Sequence, residues 1–288
     1  MQEQKSFRDE SYQGVLYVVP TPIGNLEDIT FRALNVLKTV DMIAAEDTRQ
    51  TLKLCRHYEI DKPIISYHEH NKTVSGPKLI NMMKEGQSIA IVTDAGMPGI
   101  SDPGEDLVAD CIKENIPVIP LPGANAALTA LVASGLNTEH FFFWGFLPRR
   151  SKDKVAALEN LRDFPYTLIF YEAPHRLKET IQDIRKVLGN RKITLARELT
   201  KRYETFVRGD LDSFEEWVRD QEVKGECCLI VEGGTPQSEA PWWEDLDPLQ
   251  HVDFYINEKE LSKKEAIKAV ALDRDVPKRD IYNLYHNE

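Results

Sequence analysis

A chain of 288 residues, 42% hydrophobic and 29% charged, has the composition of a soluble protein with two domains, or two and a small appendage. Its net charge of −11 argues against a nonspecific nucleic-acid binder, which is usually basic. None of the four cysteines forms a C-x-x-C, which disfavours a zinc clip or a thioredoxin motif, and no apolar stretch is long enough to cross a bilayer.

The first fourteen residues are polar and mixed in charge, lack the apolar core of a signal peptide and are expected to be loosely ordered; a cytoplasmic protein is the expectation. From residue 15, strands are predicted at 15–19, 42–45, 64–67, 89–93 and 118–121. Helices are predicted near 30–39, 48–58, 74–85, 103–115 and 124–134. Strands separated by helices of about ten residues imply a parallel, helix-covered sheet over 15–135. Asp47 and Ser101-Asp102 have the chemistry of helix caps, and Pro103 that of a first-turn proline. His68-Glu69-His70 is the one cluster that tempts a metal reading, but alternate strand residues point to opposite faces, so no metal is expected.

The pattern breaks near 135–140, and a second series follows. It has strands at 141–146, 166–171, 193–197 and 226–231, a short run at Phe206-Val207, and helices at 151–162, 174–188 and 211–223. This reads as a second α/β domain, 136–234, whose strand-rich end can include antiparallel pairs. Cys227-Cys228 sit inside CCLIV as small apolar strand residues. After Gly233-Gly234 the composition turns linker-like, and helices at 257–272 and 277–286 close the chain. Ser262 and Glu265 have capping-box spacing. The 235–288 appendage resembles a helix-turn-helix, and nucleic-acid contact and plain packing both remain open for it.

Three loops carry the chemistry. Each follows a strand and is rich in Gly and Pro: PTPIGN at 20–25, DAGMPGISDPG at 94–104 and PLPGANA at 120–126. In an open α/β sheet such loops lie at the carboxyl ends of strands, where ligands bind. None is a G-x-G-x-x-G or Walker loop, which disfavours the usual dinucleotide and ATP sites. Together they suggest a slot walled by backbone groups that holds a small folded cofactor.

LYVVPTPIGNLEDIT, AAEDTR, DAGMPGISDPG and PLPGANA, followed in order by GFLPRR, FYEAPHRL, ARELTKRYE and KGECCLIVEG, resemble the ribosomal small-subunit RNA ribose methyltransferases of the tetrapyrrole-methylase fold. The resemblance spans about residues 15 to 234, and the final helices resemble that group's extension. It implies a class III methyltransferase: two α/β domains with S-adenosylmethionine in the cleft between them, and a homodimer. The implied reaction is 2′-O-methylation of a cytidine in the decoding region of 16S rRNA, on the small ribosomal subunit. The implied cofactor residues are Pro22 and Gly24 in the first loop, then Asp94, Ala95, Gly96, Ile100 and Ser101 in the second. Pro122, Gly123 and Ala124 follow in the third, with Tyr171, Ala196 and Glu232-Gly233 from the second domain. The third loop lacks the family's usual serine, for which Asn125 or Thr129 can substitute.

A ribose hydroxyl is a poor acid, so a base or a cation beside the developing alkoxide is expected. Glu46, Asp47 and His68 are the candidate bases. Arg49 is a candidate phosphate clamp, although Asp47 as an N-cap paired with an arginine accounts for the same residues. Arg149 and Arg150, with Lys152 and Lys154, follow a strand and are candidates for phosphate binding, as are Arg197, Lys201 and Arg202. Pro174 opens a helix, which puts Arg176 in its first turn for RNA or cofactor contact. A methyltransferase acting on a tetrapyrrole or another small molecule is the nearest alternative, and a noncatalytic nucleic-acid-binding regulator the next.

Overall fold

The computed structural model describes residues 3–5, 14–234 and 242–286. Apolar runs and amphipathic segments alternate through the first half as β1 (Leu16–Val18), α1 (Phe31–Thr39), β2 (Met42–Ala45), α2 (Thr48–His57), β3 (Ile64–Ser66), α3 (Lys72–Lys84), β4 (Ile89–Val92), α4 (Glu105–Lys113), β5 (Val118–Pro120) and α5 (Ala126–Ser134). The strands form one parallel sheet in the order β3-β2-β4-β1-β5. It is buried on both faces, which is why its strands read as apolar runs rather than as alternations. Val19, Leu37, Ile43 and Val92 pack on one side; Leu16, Leu79, Ile91 and Leu107 pack on the other. This order places the loops after β1 and β4 next to each other at the carboxyl edge, where a ligand crevice opens.

Asp47 caps α2 by accepting from the Arg49 N–H, as its chemistry predicts. The helix expected from 103 starts at Glu105 instead, because Gly104, with a φ of +145° that a side chain would strain, is the N-cap. Of the expected N-terminal tail, Gln4 exchanges hydrogen bonds with the Val118 backbone on β5 (2.8 and 3.0 Å), while 6–13 lie outside the described residues.

The second series gives β6 (Phe141–Phe146), α6 (Ser151–Glu159), β7 (Thr167–Glu172), α7 (Leu177–Leu188), β8 (Lys192–Arg197), β9 (Thr205–Asp210), α8 (Leu211–Arg219) and β10 (Cys227–Val231). The sheet order is β6-β7-β10-β8-β9, parallel only between β6 and β7. Helices α6, α7 and α8 cover one face with Leu158, Ile181 and Phe214. Helix α5 covers the other, laying Ala127, Ala130 and Leu131 on Ile169, Ala196, Cys228 and Ile230. The adjacent cysteines therefore face opposite sides of β10, and both are buried free thiols.

Both sheets lie in one compact unit, Met1–Gly234, and Thr235–Glu288 forms a second. The second holds α9 (Pro248–Asn257), α10 (Lys263–Asp273) and α11 (Lys278–His286) around Val252, Ile267, Val270 and Ile281. The helix expected at 257–272 is thus corrected to one that starts at Lys263, and α9 adds a third helix to the expected pair. Its start is an Asp247–Gln250 capping box followed by Pro248 at the first position. The Ser262–Glu265 capping box forms as its spacing predicts. Residues 235–241 of the linker-like stretch lie outside the described residues.

Candidate active site

Within the first unit, a cavity of about 640 Å³ opens between the carboxyl-edge loops of the first sheet and the second sheet. The first loop contributes Ile23, the end of β2 Glu46, and the β4–α4 loop Asp94–Met97 and Ile100–Asp102. Asn125 and Ala126 come from the start of α5. Opposite them stand Phe146, Tyr171–Pro174, Ala196, Glu198-Leu199, Lys201 and Gly225–Cys228. The first two loops are tied by paired 2.9 Å backbone hydrogen bonds between Thr21 and Gly96, and the Thr21 hydroxyl donates to the Thr93 carbonyl at 3.0 Å. Gly96 has a φ of +83°, a backbone conformation that favours glycine, and both its N–H and its carbonyl are held by Thr21.

One end of the cavity is acidic. Glu46 accepts from the Asp94 N–H (3.3 Å), and Asp94 accepts from the Asp47 N–H (3.2 Å). Burial raises Glu46 above the ordinary carboxylate range, and Asp94 and Asp47 add to this by repulsion. Burial likewise raises Asp94. Burial, together with the charges of Glu46, Asp94 and Glu226, pushes Asp102 up to about 7. On the second sheet Lys201 Nζ donates to Glu198 and Glu226 at 2.9 Å each. Burial lowers that ammonium, but the two carboxylates outweigh it and hold the group charged. Glu172 is buried, accepting from the Ala173 N–H (2.7 Å) and the Thr180 hydroxyl (2.6 Å).

The residues expected from sequence divide. Asp94, Ala95, Gly96, Ile100, Ser101, Tyr171 and Ala196 line the cavity. Pro22, Gly24, Pro122, Gly123 and Ala124 do not. Ile23, between the first pair, and Asn125-Ala126, directly after the last three, line it instead. Asn125 also caps α5, accepting from the Leu128 N–H at 3.0 Å. Gly123 packs instead on the Pro20 ring, where a Cβ would lie 2.8 Å from a ring carbon. Glu232 lies at the far end of β10, with Gly233 against the Pro165 carbonyl.

Among the candidate bases only Glu46 reaches the cavity. Arg49 binds Asp47 through two hydrogen bonds (3.1 and 2.8 Å), which holds its carboxyl down at about 2, so Asp47 is a cap and an ion-pair partner. His68 falls in the turn after β3, and its ring lies 6.0 Å from that of His70. The expectation that the two face opposite sides of a strand is therefore corrected.

Of the candidate RNA-contacting residues, only Lys201 lines the cavity. Arg176 donates to the Leu147 and Pro148 carbonyls (3.2 and 2.9 Å) and fixes the turn after β6. Arg197 donates to the Lys224 carbonyl and the Thr205 hydroxyl. Lys154 is buried between Asp183 (2.7 Å) and Glu179 (2.9 Å), which removes it from the expected phosphate cluster. Arg149 and Arg150 remain exposed. Arg202 lies over the exposed Tyr203 ring and lines a shallow depression with His57, Thr200 and Lys201. Asp102, Glu172, Glu198 and Glu226 are the cavity carboxylates that sequence reasoning missed. Asp102 stands inside the second loop, where Ser101-Asp102 reads as a helix cap.

Among the described residues no group of three or more His, Cys, Asp and Glu is placed to hold a metal, and no helix is long and apolar enough to cross a membrane.

Comparison with known proteins places this cavity in a context. Residues 15–215 match the family model of the tetrapyrrole (corrin/porphyrin) methylases. The chain is 57% identical over 290 residues to ribosomal RNA small subunit methyltransferase I of Halalkalibacterium halodurans, covering 100% of both chains. The Bacillus subtilis protein of that name is 54% identical, covering 99% of each. Among solved structures, diphthine synthase superposes with a TM-score of 0.59 at 10% identity, covering 76% of this chain and 90% of that one. Uroporphyrin-III C-methyltransferase from Thermus thermophilus, complexed with S-adenosyl homocysteine, gives 0.54 at 18% identity, covering 76% and 97%. At these identities the structures speak for the fold alone.

Proposed function

The chain belongs to the tetrapyrrole methylase family and, within it, to the ribosomal RNA small subunit methyltransferase I group, and on that premise we propose that it methylates the 2′-hydroxyl of a cytidine in 16S rRNA with S-adenosylmethionine as donor. The observation that carries the reading is the cavity itself, lined by apolar side chains and by carboxylates. S-adenosylmethionine, when bound, supplies a methyl group activated on a cationic sulfur. Ile23, Ala126, Ala196 and Leu199 suit its apolar parts, and Glu46 and Asp94 suit positive charge. Enclosure between the two sheets limits water around the reacting atoms.

Beside the cavity residue Lys201, exposed Arg202 and Tyr203 offer the acceptor charge and a stacking surface of the kind single-stranded RNA uses. Exposed Arg149 and Arg150, after β6, offer further positive charge for RNA. The acidic interior disfavours a carboxylate-bearing macrocycle, which weighs against a tetrapyrrole acceptor. The decoding region of the small ribosomal subunit is the target, and the cytoplasm the place of action.

A homodimer belongs to the same reading. Edge strand β6 presents Phe141, Phe142 and Phe146, and α5 presents Leu128 and Val132, an apolar surface that a second copy would cover. Calorimetric titration with S-adenosylmethionine, expected to give one site per chain, tests the cofactor. Light scattering, expected to give twice the chain mass, tests the dimer.

A further inference from the structure

We propose that Asp102 is the general base of this site, taking the proton of the acceptor hydroxyl as the methyl group is transferred. The inference rests on the ribose-methyltransferase reading above and adds to it a residue that the three candidate bases left out.

Elimination among the cavity's carboxylates leads there. Glu46 and Asp94 each accept a backbone N–H. Glu198 and Glu226 share the Lys201 ammonium, and Glu172 is sealed against Ala173 and Thr180. Among the described residues, the charges that act on Asp102 are all carboxylates: Glu46 at the end of β2, Asp94 at the end of β4 and Glu226 before β10. Among the described residues no cation forms an ion pair with it, and of the neighbouring basic groups Lys201 is already held by Glu198 and Glu226. A carboxylate without a donor keeps its lone pairs for an incoming hydroxyl. With its proton affinity raised by burial to about 7, it is also matched to work near neutral pH.

The loop that carries Asp102 is built to aim it. Gly99 has a φ of +81°, Ser101 of +63° and Gly104 of +145°; for serine this is a strained backbone conformation. Ser101 is pressed against the second sheet, so that a Cβ on Gly145 would lie 2.9 Å from its hydroxyl oxygen. The register of β6 against β7 shifts at that point, between Phe143 and Gly145. The loop thus runs close to the second sheet, with the next residue, Asp102, at the cavity wall.

In the step, the acceptor O–H bond breaks and its proton passes to an Asp102 Oδ. The oxygen's electron pair forms the new O–C bond, and the pair of the breaking C–S bond stays on sulfur, which changes from a cation to a neutral thioether. The proton then leaves Asp102 for solvent through the cavity mouth.

Asp102→Asn, which keeps size and shape but cannot take the proton, tests the assignment against wild type. Two quantities are measured: single-turnover methyl transfer to unmodified 16S rRNA between pH 5.5 and 9, and S-adenosylmethionine affinity by calorimetry without RNA. The wild-type rate is expected to rise about tenfold per pH unit below about 7 and to level off above it. The variant is expected to be at least about 100-fold slower at pH 8, without that limb, while binding S-adenosylmethionine within about fivefold of wild type. A variant that keeps its rate within threefold and retains the limb would overturn the assignment. So would one whose cofactor affinity falls in proportion to its rate. Failure of the wild type to methylate the RNA would instead remove the underlying reading.

Discussion

Gly24 and Lys201 stand so close across the two sheets that a Cβ on the glycine would lie 2.4 Å from the lysine Cγ. The lysine's far end bonds Glu198 and Glu226 at the cavity. The first loop therefore serves the site from behind: it supports the lysine stem that spaces two cavity carboxylates. Asn25 strengthens the clamp by donating its N–H to the Thr200 hydroxyl at 3.0 Å.

Gly24→Ala is accordingly expected to push the loops apart. The Leu199 carbonyl lies 2.9 Å from the same Cβ position and cannot swing aside as a side chain does. Overpacking of this kind costs about 1–3 kcal/mol. Thermal unfolding is expected to show that loss, and calorimetry a weaker S-adenosylmethionine affinity; an unchanged Tm and affinity would show that the contact relaxes freely.

Asp102→Asn is expected to stabilise the fold at pH 8 while it impairs the reaction. The folded carboxyl holds its proton up to about 7, whereas an unfolded aspartate loses it near 4. Wild type thus loses stability as pH rises between those values, and the cost is fully present above 7. The variant's Tm advantage should be largest at pH 8 and shrink as pH falls towards 4. Equal Tm values at pH 8 would place Asp102 in a more solvated setting.

The alternation of strand and helix is legible in the sequence because each parallel strand is buried on both faces and each helix shows one apolar side. The β4–α4 loop is legible for the same kind of reason: Gly96, Gly99 and Gly104 all take positive φ, and glycine marks such positions. The cavity's far wall is not legible. Gly225 approaches Glu198 so closely that a Cβ would lie 2.4 Å from its side-chain carbons, a contact between segments distant in sequence that leaves no local pattern. Lys154 and Arg176 look like surface cations because charge runs do not reveal which members turn inward. Helix α9 follows directly on the tryptophan- and acid-rich stretch that reads as linker, and its own short run PLQHVDFYIN goes unassigned.

Arg149→Ala with Arg150→Ala is expected to weaken RNA binding and flatten its dependence on log salt by up to about two units of slope, with cofactor affinity intact. Lys154→Met should do the opposite: it leaves Asp183 without its ammonium, costs about 3 kcal/mol, and spares the salt slope. An RNA affinity indifferent to the double arginine change across a salt series would remove these residues from the acceptor surface.

In the C-terminal unit His251 is fully buried, stacked between Trp243 and Tyr255, with Nδ1 accepting from Arg274 (3.2 Å). Burial, then the Arg274 charge, keep this imidazole below the ordinary histidine range, although Asp273 opposes them. A lowered histidine favours the fold above about 6.5, and that contribution is lost as pH falls from there towards the folded value. Tryptophan emission from Trp242 and Trp243 should report earlier thermal unfolding of this unit at pH 5.5 than at 7.5. His251→Gln should flatten the difference, and a wild-type profile already flat would contradict the role of the ring.

The most direct test is methyl incorporation from labelled S-adenosylmethionine into 30S subunits and free 16S rRNA that both lack the modification, followed by nucleoside analysis. Label recovered as 2′-O-methylcytidine is the expected result, and preference between the two substrates shows whether assembled shape is read. Label on a base would contradict the 2′-O assignment, and none in either substrate from protein shown to bind the cofactor would contradict the account and point to a small-molecule acceptor.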